Sequence, residues 1–271
     1  MKVYDCLYLR NRPAGTLPGF SPMLQSDRAF FARIIVGGRD TGARDFTRID
    51  SAEAGRWAAT ATGPVVLDIE SRSDPTRRDI RTNVRQIDVD GPSVRDDAEY
   101  ILSAIRAAKA ATSQPIGLYD LIPSGFNIYN SCITRDTGEL ARASASNDFF
   151  AATGILAAID ILCPSLYAPY VAPDNWRKWA AWTSAECDRL SPTKPKIAFL
   201  KPTVGGNLAP LDFWNFQLET CRNLGFDGIA AWASSSADFQ DATAHIAACT
   251  AIANHPQVDT IGQSSVTKTR Q

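Results

Sequence analysis

Short apolar runs alternate with longer amphipathic ones along this chain, which is the sequence mark of repeated βα units. Runs at 3–9, 33–37, 64–70, 115–122, 159–167, 196–202 and 228–234 are rich in Val, Ile, Leu or aromatics. Gly, Pro, Ser or Asp bounds each of them. Each predicts a strand. Helical spacing predicts helices at 94–111, 147–158, 173–190, 210–224 and 237–253, with a shorter one at 51–60. Within 94–111, Ala98, Ile101, Leu102, Ile105 and Ala108 fall on one face. The segment 71–92 is polar, with arginines at 72, 77, 78, 81 and 85. It follows the third strand directly, so it is expected to rise over one mouth of the fold.

This alternation predicts a TIM-like (β/α) barrel, seven-stranded or a distorted eight-stranded one. It would form a single domain over 1–254, followed by a polar tail at 255–271 without periodicity. The length of 271 residues suits one such barrel. An open doubly wound sheet would carry a glycine-rich phosphate turn after its first strand. Arg12-Pro13-Ala14-Gly15-Thr16 does not supply one, and the run at 204–207 is too short.

Composition narrows the partners. Charged residues make up 21% and the formal net charge is −1, so nothing draws the chain to nucleic acid or an anionic membrane. No apolar run reaches the roughly 20 residues that a membrane helix needs. The N-terminus enters a strand pattern directly, without the apolar region of a secretory signal. The expectation is a soluble protein, cytoplasmic or phage-associated. The six cysteines are widely and irregularly spaced and read as small buried apolar residues.

Candidate chemistry follows by elimination. The only histidines are His245 and His255, and no zinc spacing, GxSxG elbow or P-loop occurs. No metal or cofactor is expected. Carboxylates and tyrosines remain for acid–base work. The third strand reads Pro64-Val65-Val66-Leu67-Asp68-Ile69-Glu70-Ser71. Side chains alternate across a strand, so Val66, Asp68 and Glu70 share one face. Two acids thus emerge at the C-terminal end of a buried strand, where barrel enzymes keep their catalytic groups. Mutual repulsion and desolvation favour a raised pKa on one of them, as a general acid needs.

Their spacing restricts the mechanism. Residues i and i+2 lie about 6.5–7 Å apart and project in parallel, whereas the usual glycosidase pair flanks the scissile bond. Either another strand supplies the opposing group, with Asp120 as candidate, or the substrate supplies its own nucleophile. An acetamido group at sugar C2 can do so, with Asp68 orienting it and Glu70 protonating the leaving oxygen. Tyr119, Tyr167, Tyr170 and Trp232 lie at or beyond other strand ends and offer flat faces to sugar rings. Lys201 ends the sixth strand, where it could meet an acidic sugar.

At these residues the chain resembles the hyaluronidases of glycoside hydrolase family 56. The resemblance rests on Val65-Val66-Leu67-Asp68-Ile69-Glu70, Gly117-Leu118-Tyr119-Asp120-Leu121-Ile122-Pro123, Cys163-Pro164-Ser165-Leu166-Tyr167, Ala198-Phe199-Leu200-Lys201-Pro202 and Gly228-Ile229-Ala230-Ala231-Trp232-Ala233-Ser234. It departs at Ile69, where that family usually has an aromatic residue. The resemblance implies a retaining, substrate-assisted hydrolase of an N-acetylhexosamine-containing polysaccharide, with Glu70 as proton donor and Asp68 holding the acetamido group. Tyr167 and Trp232 would line the cleft, with Tyr119, Asp120 and Lys201 as further substrate contacts. The partner would be a poly- or oligosaccharide. Two other readings stand beside it. One is a muramidase of the family 25 lysozyme type, whose further acid on the first strand could be Asp5. The other is a non-catalytic sugar-binding or structural barrel.

Overall fold

The computed structural model describes residues 1–25, 51–68, 92–123, 128–233 and 237–254. Within them the chain is a mixed α/β protein. Its order is β1 (Lys2–Leu7), β2 (Ser21–Pro22), β3 (Leu24–Gln25), α1 (Ser51–Ala58), β4 (Val65–Leu67), α2 (Pro92–Ala111) and β5 (Ile116–Tyr119). Then come α3 (Tyr129–Thr134), α4 (Thr137–Ala152), α5 (Ile155–Ala158), β6 (Ile161–Cys163) and α6 (Pro173–Leu190). The last elements are β7 (Ile197–Leu200), β8 (Thr203–Val204), β9 (Asn207–Leu208), α7 (Leu211–Asn223), β10 (Gly228–Ala233) and α8 (Thr243–Asn254).

Two parallel sheets carry the fold, ordered β2-β1-β10-β7 and β3-β4-β5-β6. Only Met23 separates β2 from β3, so one short stretch of chain serves an edge of each sheet. At the other edges, parallel bridges join Leu162 to Lys196 and Ser165 to Phe199. There the Leu162 amide donates to the Pro195 carbonyl, and the Phe199 amide to the Pro164 carbonyl, both at 2.9 Å.

The strand interiors follow strict alternation. Tyr4 and Cys6 of β1, Val66 of β4, Ile161 and Cys163 of β6, Ile197 and Phe199 of β7 and Ala230 of β10 form one cluster. Their neighbours of opposite parity, such as Val3, Leu7, Ala198, Leu200, Ile229 and Ala231, pack in a separate cluster with helix residues Trp176, Trp179 and Trp214. A strand buried on both faces needs apolar residues at every position, which is why these strands read as continuous apolar runs. Helix α2 buries Ala98, Ile101, Leu102, Ile105 and Ala108, the face that its spacing predicts.

Gly117 of β5 shows how closely the inner face is packed. A Cβ there would lie 2.6 Å from Cys163 Sγ and 2.7 Å from Ile161 Cγ1. Gly117→Ala is therefore expected to destabilise the protein by about 1–3 kcal/mol, the usual cost of overpacking. The urea midpoint measures this, and an unchanged midpoint would mean that β5 and β6 can move apart freely.

The strand expected at 33–37 lies outside the described residues, as do most of 71–92 and the tail at 255–271. Other expectations need correction. The place between β1 and β4 is filled by β2 and β3, which pair with them. Two-residue strands interrupted by Met23 are too short for periodicity to reveal, and Pro22 argues against a strand. The glycine pair at 205–206 turns a hairpin between β8 and β9, with φ of 59° and 87°. The helix expected at 147–158 is two helices. The first, α4, begins at Thr137, where the Asp136 carboxylate accepts from the Glu139 amide as an N-cap. It ends before Gly154, whose φ of 91° separates it from α5. Helix α3 was not expected at all, and α8 begins six residues later than the pattern suggests. All six cysteines are buried and free.

Candidate active site

The C-terminal ends of the parallel strands bring five of the expected residues to one place. Asp68 directly follows β4, in register with the inward-facing Val66, and is half-buried. Tyr119 is the last residue of β5 and is buried. Its hydroxyl donates to Ser165 Oγ at 3.0 Å. Its ring lies 5.9 Å from that of Tyr167 and meets Phe199 edge-on at 5.1 Å. Tyr167 in turn stacks on Trp232, with centroids 5.5 Å apart and planes inclined by 24°. Lys201, just beyond β7, holds its Nζ 5.1 Å from the centre of the Trp232 ring. The result is a continuous aromatic wall with a carboxylate beside it and a cation over the Trp232 ring.

The electrostatics agree with this proximity. Burial pushes the Tyr119 hydroxyl well above its ordinary pKa, and the charges of Asp120 and Asp68 push it further. Tyr167 is raised well above its ordinary value by burial first, then by Tyr119 and Asp68. Both tyrosines therefore stay protonated and act as neutral hydrogen-bonding groups. Desolvation lowers the Lys201 pKa. The contact with the Trp232 face offsets part of that cost, since cation–π pairs contribute about 0.5–2 kcal/mol.

Asp120 and Asp5 stand apart, and Glu70 lies outside the described residues. Asp120 is completely buried rather than open to the mouth. Its backbone takes a left-handed conformation, φ 47°, and its amide donates to the Cys163 carbonyl at 2.9 Å. Its Oδ1 accepts from the Ser165 amide at 3.2 Å, so the carboxylate ties the end of β5 to the chain after β6. Asp5 shares the parity of Val3 and Leu7, not of Tyr4 and Cys6. Its carboxylate accepts from Arg12 at 2.5 and 2.8 Å and from the Leu17 amide at 2.8 Å.

Ser165 was missed as a site residue. It sits in Pro164-Ser165-Leu166-Tyr167, with the parity of Cys163 and Tyr167, and that alternation was the available signal. A serine at a strand end is too common for its identity alone to mark it. Tyr170 is exposed and pairs with Tyr129, at 6.4 Å between centroids. His245 is buried, with Nε2 2.8 Å from the Ala209 carbonyl. Among the described residues no group of three or more His, Cys, Asp or Glu could hold a metal ion. No helix among them is long and apolar enough to cross a membrane.

No family model matches the chain, and no curated protein does. Among solved structures, the PgaB (BpsB) glycoside hydrolase domain from Bordetella bronchiseptica is similar at 10% identity and a TM-score of 0.44. The match covers 88% of this chain and 71% of that one. Similarity of this degree assigns neither a family nor an activity.

Proposed function

We propose that the chain is a glycoside hydrolase acting on an N-acetylhexosamine-containing polysaccharide, with its site at the C-terminal mouth of a seven-strand barrel. In this reading the two parallel sheets are one closed ring, joined through 21–25 on one side and through the bridges between β6 and β7 on the other. The observation that carries the proposal is the placement of Asp68 beside Tyr119 and the stacked pair of Tyr167 and Trp232. A flat apolar wall suits the face of a sugar ring, and a carboxylate at its edge suits an amide N–H.

The mechanism we infer is retaining and substrate-assisted. The acetamido oxygen of the bound sugar attacks its own anomeric carbon, and the bond to the leaving oxygen breaks. Glu70 gives that oxygen its proton, while Asp68 accepts from the acetamido N–H and orients the amide. Water then adds to the anomeric carbon from the other side, losing a proton to Glu70, and the acetamido group is restored. The tyrosines, held protonated, fix the sugar against the wall.

A muramidase using a first-strand acid is less well supported, because Asp5 is engaged by Arg12 on the outward face of β1. The deciding experiment is a degradation screen over chitin oligosaccharides, hyaluronan, chondroitin and peptidoglycan. Release of reducing ends from one of the first three, with retained anomeric configuration, supports the proposal. Clearing of peptidoglycan alone favours a muramidase. Binding of an intact saccharide without cleavage favours a non-catalytic barrel.

A further inference from the structure

Asp120 carries a combination that an ordinary core residue avoids. It is an acidic side chain with no solvent exposure, on a left-handed backbone, directly after a strand that ends in Tyr119. Burying a carboxylate is costly unless it serves a partner, and a non-glycine residue in the left-handed region stores strain. Its hydrogen bond to Ser165 shows what these costs maintain. Asp120 holds the Ser165 amide, and the same serine accepts the Tyr119 hydroxyl through Oγ. Tyr119 then packs on Tyr167, which stacks on Trp232. One carboxylate thus fixes the base of the aromatic wall from behind.

We infer that Asp120 is a positioning residue, not a substrate contact: through Ser165 and Tyr119 it sets the place of Tyr167 relative to Asp68. The inference rests on the glycosidase reading for its catalytic consequence, though not for its geometry. Asp120 lies behind Tyr119, with no exposed surface to offer a sugar. Ser165 is equally buried and acts only through Tyr119. Losing the clamp should misplace the wall without removing any group that touches substrate. Displacements of about 1 Å can cost about 100-fold in rate.

Three variants separate this role from the others. Asp120→Gly removes the carboxylate but suits the left-handed backbone, so folding is retained. Asp120→Asn keeps an acceptor oxygen and also tolerates that conformation. Ser165→Ala deletes one hydrogen-bond partner of the Tyr119 hydroxyl while leaving the backbone alone. Steady-state kinetics on a chitin oligosaccharide, or on whichever glycan the wild type cleaves, should show kcat lowered about 10- to 100-fold in Asp120→Gly and Ser165→Ala, with KM within about twofold. Asp120→Asn should recover most of the wild-type kcat. A KM rise well beyond twofold in both Asp120→Gly and Asp120→Asn would overturn the inference, because it would mean that substrate reads the charge. A second readout needs no activity. The stacked Tyr167–Trp232 pair should give a near-ultraviolet circular dichroism band that weakens in Asp120→Gly and Ser165→Ala and persists in Asp120→Asn. If the wild type cleaves nothing, the glycosidase reading fails and this band alone decides the clamp. An unchanged band in Asp120→Gly would refute it.

Discussion

Glu70→Gln is expected to lower kcat by about 10²–10⁴-fold, the usual contribution of a general acid. KM should change little, because glutamine keeps the size and one hydrogen-bonding oxygen of the acid. The expectation comes from strand parity. Val66 belongs to the inner cluster, and Asp68, two residues on, influences Tyr119 and Tyr167. The proposal extends the same alternation to Glu70. A carboxamide cannot hand a proton to a departing oxygen. A substrate with an aryl leaving group, which departs without a proton, should therefore lose much less rate in Glu70→Gln than a natural glycan does. Equal losses on both substrates would remove Glu70 from the acid role. Undiminished turnover would remove it from the mechanism.

The second large effect concerns stability. Trp176→Ala is expected to cost about 3–5 kcal/mol, the range for deleting a buried aromatic side chain. Trp176 stands in the first turn of α6, wholly buried, and its Nε1 donates to the Leu166 carbonyl at 3.0 Å. Alanine leaves a cavity and also orphans that carbonyl, which alone costs about 1–3 kcal/mol. Trp176→Phe keeps most of the volume, so only the second cost should remain. Urea unfolding measures both, as a fall in midpoint without a change in slope. Because Leu166 precedes Tyr167, the damage should also reach the aromatic wall. A loss below about 1 kcal/mol for Trp176→Ala would mean that the site collapses around the cavity.

The strand centres were legible because parallel strands between helices must be apolar on both faces. The same alternation made Asp68, Tyr119, Tyr167, Lys201 and Trp232 legible, since each continues the inner parity of its strand. Segment 21–25 was not legible. Its pairing is decided by the neighbours β1 and β4, and no local pattern of its own survives Pro22. Helix α4 was hidden because Thr137-Gly138-Glu139-Leu140 and the Ala/Ser run after it show no apolar stripe, so its start depends on the Asp136 cap. Adjacency to a strand end suggests the mouth for Asp120, yet its side chain is buried. Its parity, opposite to that of Tyr119, argued otherwise, and the left-handed turn at φ 47° made an inward tie to Ser165 possible. Asp5 is the complementary case, since its outward parity could have been read from Val3 and Leu7.

In the proposed mechanism Asp68 holds an acetamido group in the geometry of self-attack. Calorimetric titration of a thiazoline mimic of the cyclised sugar into wild type and Asp68→Ala tests this most directly. The wild type should bind the mimic at least about 100-fold more tightly than the parent sugar, as transition-state analogues do, and Asp68→Ala should lose this preference. Equal affinity for mimic and parent sugar in the wild type, or a preference that survives in Asp68→Ala, would contradict it.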